Sequence, residues 1–293
     1  MSTWGEIYRE AAAALREAGI ENPDMESEIL LSELGKFRRS ELFFRKNVEV
    51  SPETLAVIRD GVARRVRREP LQYVTGTAPF REVELQVSPG VLIPRPETEL
   101  LVGEVLKKLP RGGALADIGT GSGAIALSAA YERKDITVTA VDASAAALEI
   151  AAANRRRLGL WGRVELRQGD LTAPLRGRGE FYDVAAANLP YISEGDFAAC
   201  PAEVRDYEPK EALVAPENGL ALIFRLIHEA VTILKPSGWL ILEIGCDQGG
   251  AVTRALGDAD YRNIAVKRDL TGRIRFAMGQ KAASPFAAGG TPR

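Results

Sequence analysis

An α/β fold is predicted for most of this chain: a mostly parallel sheet covered on both faces by helices, preceded by a small helical bundle. Three observations lead there. Residues 111 to about 280 alternate short apolar runs with helical periodicity, the pattern of parallel strands joined by helices. A glycine-rich segment, Asp117-Ile118-Gly119-Thr120-Gly121-Ser122-Gly123, joins the first of those strands to a helix. Residues 1 to about 70 carry helical spacing only. The expected division is a helical bundle over 1–73, a β-hairpin linker over 74–90, an α/β domain over 91–283 and a disordered tail over 284–293.

The elements follow in order. Thr3-Trp4-Gly5-Glu6 has the spacing of a capping box, in which Thr and Glu side chains satisfy each other's backbone N–H groups. Ile7, Ala11, Ala14, Leu15 and Ala18 continue it at helical spacing, and Gly19 stops it. Asn22-Pro23 opens a second helix with proline in the first turn. A short helix is expected over Ser40–Phe44, and Ser51-Pro52-Glu53 opens a longer one with Leu55, Ile58, Val62 and Val66 on one stripe. That helix and its end carry Arg59, Arg64, Arg65, Arg67 and Arg68. They read as a solvated face, or else as a docking surface for RNA or an acidic partner. Pro70 is expected to end the bundle, and Val74–Val87 reads as a β-hairpin.

Beyond it, strands are predicted over 114–118, 137–142, 164–168, 183–187, 239–244, 264–267 and 273–277, with helices over 124–133, 145–158, 220–234 and 249–256. A further helix, opened by Pro96-Glu97-Thr98-Glu99, should run to Lys108. Ser284–Arg293 is rich in Pro, Gly and Ala and is expected to be disordered.

Composition narrows the function. The 293 residues are 46% apolar and 27% charged with net charge −2, so nothing requires a nucleic-acid partner. No apolar run reaches the ~18 residues of a membrane span, and the N-terminus lacks the basic and apolar segments of a signal peptide. A cytoplasmic monomer is expected. Cys200 and Cys246 have no metal or redox spacing, and the single histidine, His228, lies inside a helical run, which leaves zinc chemistry and a Ser-His-Asp triad without support.

Two stretches carry chemistry. In the glycine loop, Gly119, Gly121 and Gly123 let the backbone turn and approach a ligand. Asp142 ends the next strand, where an acid can hold two ribose hydroxyls. Asp170 and Leu171 follow the third, beside a base. Gly119, Gly121 and Ala124 also satisfy a loose dinucleotide fingerprint, so an NAD-dependent oxidoreductase is an alternative. Asp117 favours S-adenosylmethionine instead, since a carboxylate aimed into the loop attracts an ammonium and disfavours a pyrophosphate.

The second stretch is Asn188-Leu189-Pro190-Tyr191, straight after the apolar run 182–187. The Asn side-chain oxygen and the backbone carbonyl before proline can accept both N–H bonds of a planar NH2 group, with Tyr191 against its face. That suits alkylation of an amide or amino nitrogen. The alternative is a strand-to-loop turn. Arg95 and Glu97, between two prolines, either serve the first turn of their helix or face a pocket; both readings stay open.

These residues resemble the PrmC/HemK family, the N5-glutamine methyltransferases of peptide-chain release factors. The resemblance spans about residues 1–280. It is carried by Pro70-Leu71-Gln72-Tyr73-Val74-Thr75-Gly76, Leu92-Ile93-Pro94-Arg95-Pro96-Glu97-Thr98-Glu99, the Asp117–Gly123 loop, Tyr207–Leu213, Leu242-Glu243-Ile244-Gly245 and Lys267–Leu270. It implies a class I S-adenosylmethionine-dependent methyltransferase domain, Rossmann-like, behind a helical bundle; by analogy with other bundles ahead of catalytic domains, this one is expected to recognise substrate. It also implies that Gly119–Gly123 and Asp142 bind S-adenosylmethionine with Leu171 by the adenine, and that Asn188 and its neighbours hold the glutamine of a Gly-Gly-Gln loop in a release factor. The family's tetrapeptide is usually Asn-Pro-Pro-Tyr; here Leu189 stands second. A ribosomal-protein glutamine, an exocyclic adenine amine and an inactive binding adaptor are the competing readings.

Overall fold

The computed structural model of the protein describes residues 2–283. The expected disordered tail, 284–293, lies outside the described residues. The chain divides into two compact units, Met1–Thr77 with Pro201–Tyr207, and Ala78–Cys200 with Glu208–Arg293.

The first unit is helical. α1 (Trp4–Glu17) opens with the expected capping box: the Thr3 N–H donates to Glu6 Oε2 at 2.8 Å and the Glu6 N–H to Thr3 Oγ1 at 3.4 Å. α2 (Pro23–Gly35) has proline in its first turn and stops at Lys36, whose φ of 57° is left-handed. α3 (Pro52–Val66) is capped by Ser51, whose Oγ accepts the Thr54 N–H at 3.2 Å. The expected helix over Ser40–Phe44 is instead a 3₁₀ turn at Arg39–Glu41 followed by irregular turns.

Pro70 does not end the bundle. It caps α4 (Leu71–Thr75), which closes on Gly76 at φ 81°. Val74, expected in the hairpin, is buried in this helix with Leu15, Ile20 and Leu30. Proline starts helices as readily as it ends them, so the wrong one of its two roles was read from sequence.

Arg59 and Arg67 are exposed, as the solvated reading expects, whereas Arg64, Arg65 and Arg68 are drawn into ion pairs. Arg65, only 6% exposed, pairs with Glu26 at 2.6 Å, Arg64 with Glu69 at 2.5 Å, and Arg68 with Glu203 at 3.2 Å. Glu203 belongs to a short helix, α9 (Ala202–Arg205), which also approaches Arg65 at 3.4 Å.

The second unit begins with a hairpin, β1 (Thr77–Phe80) and β2 (Val83–Gln86), then α5 (Pro96–Lys108). The main sheet holds β3 (Ala114–Ile118), β4 (Thr137–Asp142), β5 (Val164–Gln168), β6 (Tyr182–Ala187), β7 (Leu234–Glu243), β8 (Tyr261–Arg268) and β9 (Ile274–Lys281), in the order β5-β4-β3-β6-β7-β9-β8. β3 to β7 pair in parallel; β9 runs antiparallel to both neighbours. α6 (Ala124–Glu132), α7 (Ala145–Arg157), α10 (Ala221–Ala230) and α11 (Gly249–Asp258) connect the strands, and a short α8 (Glu194–Ala198) follows β6. Two apolar clusters fill the unit. One gathers Leu101, Leu115, Ile125, Leu127 and Val138, the other Ile118, Ala185, Leu226, Leu240 and Val252.

α10 is shorter than its periodicity suggests, because the chain after it is claimed by the sheet: the Tyr182 N–H donates to Ile233 O at 2.9 Å and Leu234 pairs with Tyr182. Strand order reverses at β3, with β4 and β5 on one side and β6 and β7 on the other. A crevice beyond the carboxyl ends of β3 and β6 is the expected ligand site of such a sheet. The register pairs Ile118 with Ala187, so Gly119 and Asn188 leave the sheet side by side.

Candidate active site

A cavity of about 500 Å³ opens at that switch point, a size within the range of small-molecule sites. One end is lined by Gly119, Thr120, Gly121, Ser122, Asp142, Asp170 and Leu171, the other by Arg95, Thr98, Asn188, Leu189 and Pro190.

The first end is built from backbone. Gly119, Gly121 and Gly123 have φ of 75°, 57° and 88°, a region costly for side-chain-bearing residues. Gly119 is also a close approach: a Cβ there would stand 2.8 Å from Leu189 Cδ2. At Gly121 the space where a Cβ would stand is open. The loop is pinned to β4 by the Gly119 and Thr120 N–H groups, which donate to Val141 O at 2.8 and 2.9 Å. The Asp142 carboxylate accepts the Gly121 N–H on Oδ2 at 2.8 Å and the Ser144 N–H on Oδ1 at 2.9 Å. Both oxygens are thereby fixed, each with a lone pair to spare.

Asp117 does not line the cavity. It is fully buried behind the loop, where Oδ2 accepts from Thr120 Oγ1 at 2.5 Å and from the Ala126 N–H at 3.1 Å. Its Oδ1 is buried with no hydrogen-bond partner among the described residues. Burial pushes its pKa up to about 7 against the lowering effect of those two bonds, and the Asp142 charge pushes the same way. Asp170 is exposed and paired with Arg225 at 2.6 Å. Leu171 is mostly buried with φ 44°, a strained conformation for a branched side chain of the kind that collects at functional sites.

Side chains from distant parts of the sequence build the second end. Asn188 Nδ2 donates to Thr98 Oγ1 at 3.0 Å, and Thr98 Oγ1 donates to Glu243 Oε2 at 2.7 Å. Tyr191 OH donates to Glu243 Oε1 at 3.3 Å, and Arg275 NH1 to the Tyr191 oxygen at 3.5 Å. Glu243, 1% exposed at the end of β7, thus holds both ends of the Asn188–Tyr191 segment. Burial pushes the Glu243 carboxyl up to about 7; the Thr98 bond and the Arg275 charge oppose this, and Glu97 adds to it. Burial, with the Glu243 charge beside it, raises the Tyr191 hydroxyl as well.

The tetrapeptide is therefore split. Asn188, Leu189 and Pro190 line the cavity and Tyr191 does not; its ring packs among the core residues behind it and its backbone O accepts from Gln248 Nε2 at 2.9 Å. Of the two open residues, Arg95 lines the cavity and is tied to Glu208 at 2.6 Å, while Glu208 also accepts the Ile93 N–H at 3.1 Å. Glu97 sits in the first turn of α5, away from the lining. Among the described residues no group of His, Cys, Asp and Glu is placed to hold a metal ion, and no helix is long and apolar enough to cross a membrane.

Comparison with known proteins places this arrangement. Residues 6–76 match the PrmC N-terminal domain and residues 96–199 the methyltransferase small domain. A release factor glutamine methyltransferase of Moorella thermoacetica is 43% identical over 91% of this chain and 94% of its own length. One from Vibrio cholerae is 39% identical over 92% and 94%. The chain belongs to the release factor glutamine methyltransferase family. In fold it is like a solved methyltransferase of Pyrococcus furiosus, with TM-score 0.51 and 21% identity over 68% of this chain and 88% of that one. The class I methyltransferase architecture expected from sequence is thus the observed one.

Within this methyltransferase family member, sequence reasoning quoted Thr98 and Glu243 inside family-like segments yet gave neither a role. A signal existed for Glu243: an acid closing the apolar run Trp239-Leu240-Ile241-Leu242 is costly unless paired. Thr98 had none, because its partners lie far along the chain.

Proposed function

We propose that this chain transfers a methyl group from S-adenosylmethionine to the side-chain amide nitrogen of the glutamine in the Gly-Gly-Gln loop of peptide-chain release factors, as a cytoplasmic monomer whose helical unit recognises the factor. The observation that carries the reading is Asn188, whose amide nitrogen is engaged by Thr98 and whose side chain lines the cavity next to the glycine loop. With the nitrogen so occupied, Oδ1 is the atom left to accept from a substrate NH2.

The residues present fit the cofactor. Asp142 is fixed for two ribose hydroxyls, Gly121 leaves room for close approach, and Leu171 lines the same end. When bound, S-adenosylmethionine supplies an electrophilic methyl on a sulfonium. An amide nitrogen is a weak nucleophile because its lone pair is delocalised. Asn188 Oδ1 and the Leu189 carbonyl accept its two N–H bonds, hold it in one orientation and stabilise positive charge as it develops there. Pro190 restricts the Leu189 backbone to the extended form that exposes the carbonyl. Tyr191 acts from behind, anchoring the segment through Glu243 rather than covering the substrate.

The test is mass spectrometry of a release factor after incubation with enzyme and labelled cofactor. One added methyl on the Gly-Gly-Gln glutamine is expected. Transfer to adenine-containing nucleic acid or to a ribosomal protein, with none to the factor, would overturn the reading.

A further inference from the structure

We propose that Thr98 and Glu243 are positioning residues, which hold the Asn188 carboxamide with its oxygen turned toward the acceptor amide through a one-way chain of hydrogen bonds. This rests on the glutamine-methylation reading above. A primary amide has two ends of nearly equal shape and opposite hydrogen-bonding character: the NH2 only donates, the oxygen only accepts. An Asn free to turn over would present N–H to a substrate N–H and repel it half of the time. Nothing in the Asn188 side chain itself decides between the two.

Glu243 does. An ionised carboxylate only accepts. Thr98 Oγ1 lies 2.7 Å from Glu243 Oε2, so its single proton is committed there and only lone pairs remain for its other neighbour. That neighbour is Asn188, at 3.0 Å, and only the NH2 end can meet a lone pair. The charge of one buried side chain is thus transmitted through a hydroxyl into the direction of an amide. Tyr191 reports to the same carboxylate through Oε1 at 3.3 Å, so the first and last residues of the segment are referenced to one group. Thr98 and Glu243 are themselves held by packing, 3% and 1% exposed. Their sites lie on α5 and at the end of β7, rigid elements suited to positioning a reactive group.

Two substitutions interrogate the chain without removing bulk. Thr98→Val keeps the shape and deletes the acceptor. Glu243→Gln keeps the shape and places an N–H donor within reach of Thr98, which lets the chain run backwards and turn Asn188 over. With full-length enzyme and a release factor substrate at about pH 8, where a carboxyl titrating at about 7 is ionised, each variant should lose about 10²-fold in kcat. S-adenosylmethionine affinity by calorimetry should stay at the wild-type value. The thermal midpoint of Glu243→Gln should stay level or rise, since a buried charge has been removed. Thr98→Ser should retain most of the wild-type kcat. A Thr98→Val enzyme as active as wild type would overturn the proposal, and so would a Thr98→Ser enzyme as impaired as Thr98→Val, or losses that track a fall in the midpoint. Failure of the wild-type enzyme to methylate the factor is a different result, which removes the functional reading itself.

Discussion

The two ends of the cavity are made in opposite ways. The end around Gly119–Gly123 is local and peptidic. Its shape comes from three glycines at positive φ and from N–H groups returned to Val141 and Asp142. The Asn188 end is non-local and made of side chains: the bond from Asn188 to Thr98 spans 90 residues and that from Thr98 to Glu243 spans 145. Backbone donors are available wherever the chain turns correctly, so a short motif can specify them. A directed side-chain chain needs each member's rotamer and charge fixed by a different part of the fold. A ligand defined by its shape and hydroxyls can be met by the first kind of site; a weak nucleophile that must be aimed calls for the second.

Substitutions can break this contrast at either end. Asn188→Ala should have the largest effect, lowering kcat about 10²–10³-fold, the scale seen when one preorganised partner of a developing charge is lost. Calorimetry should find S-adenosylmethionine affinity nearly unchanged; a parallel loss of affinity would mean that the two ends are one site. Asp142→Ala should do the reverse, weakening cofactor binding by about 10²-fold, on the scale of charged hydrogen bonds at ~1.5–3 kcal/mol, and with saturating cofactor much of the kcat should return.

A smaller effect appears in stability against pH. Asp117 and Glu243 titrate near 7 in the folded protein, well above their ordinary values of 3.8 and 4.5. Each therefore holds its proton more tightly folded than unfolded, so its contribution is full below the ordinary carboxylate range and is lost as pH rises through about 7. The groups facing Asp117 are Thr120, the Ala126 N–H and Asp142; those facing Glu243 are Thr98, Tyr191, Arg275 and Glu97. The urea midpoint of the protein should fall between about pH 5 and 8, and Asp117→Asn should flatten part of that fall. A midpoint that rises across this range would contradict the burial of both carboxyls. Leu189→Pro should matter least. The carbonyl before Pro190 is retained, so kcat should change by no more than about threefold; a larger loss would assign the Leu189 side chain, packed over Gly119, a part in shaping the site.

The same contrast explains what could be read from the sequence. β3, β4 and β5 and the glycine loop follow from apolar runs and from residues within seven positions of one another, and they appear where expected. Asn188 was legible because a polar amide directly after a buried strand is out of place unless used. Tyr191 was assigned the wrong surface: adjacency to Asn188 implied the cavity, whereas its hydroxyl is taken by Glu243 and its ring by the core. Asp117 was expected to reach into the loop and instead braces it from below. Arg65 and Arg68 looked solvated because their acidic partners, Glu26 and Glu203, come from other segments. For Tyr191, Arg65 and Arg68 the missing information was a partner remote in the chain; for Asp117 it was the way the loop folds back over it, since Thr120 and Ala126 are near neighbours in sequence.

The segment Pro201–Tyr207 crosses out of the α/β unit, lends Glu203 to Arg65 and Arg68, and crosses back. The helical unit is thus discontinuous in the chain. Cutting the gene at codon 77 would yield a fragment whose nearly buried guanidinium has lost one of its two counter-charges, together with the Tyr207 hydroxyl that caps the Arg67 carbonyl at 2.6 Å. Anyone wishing to study the helical unit by itself must graft the excursion back on.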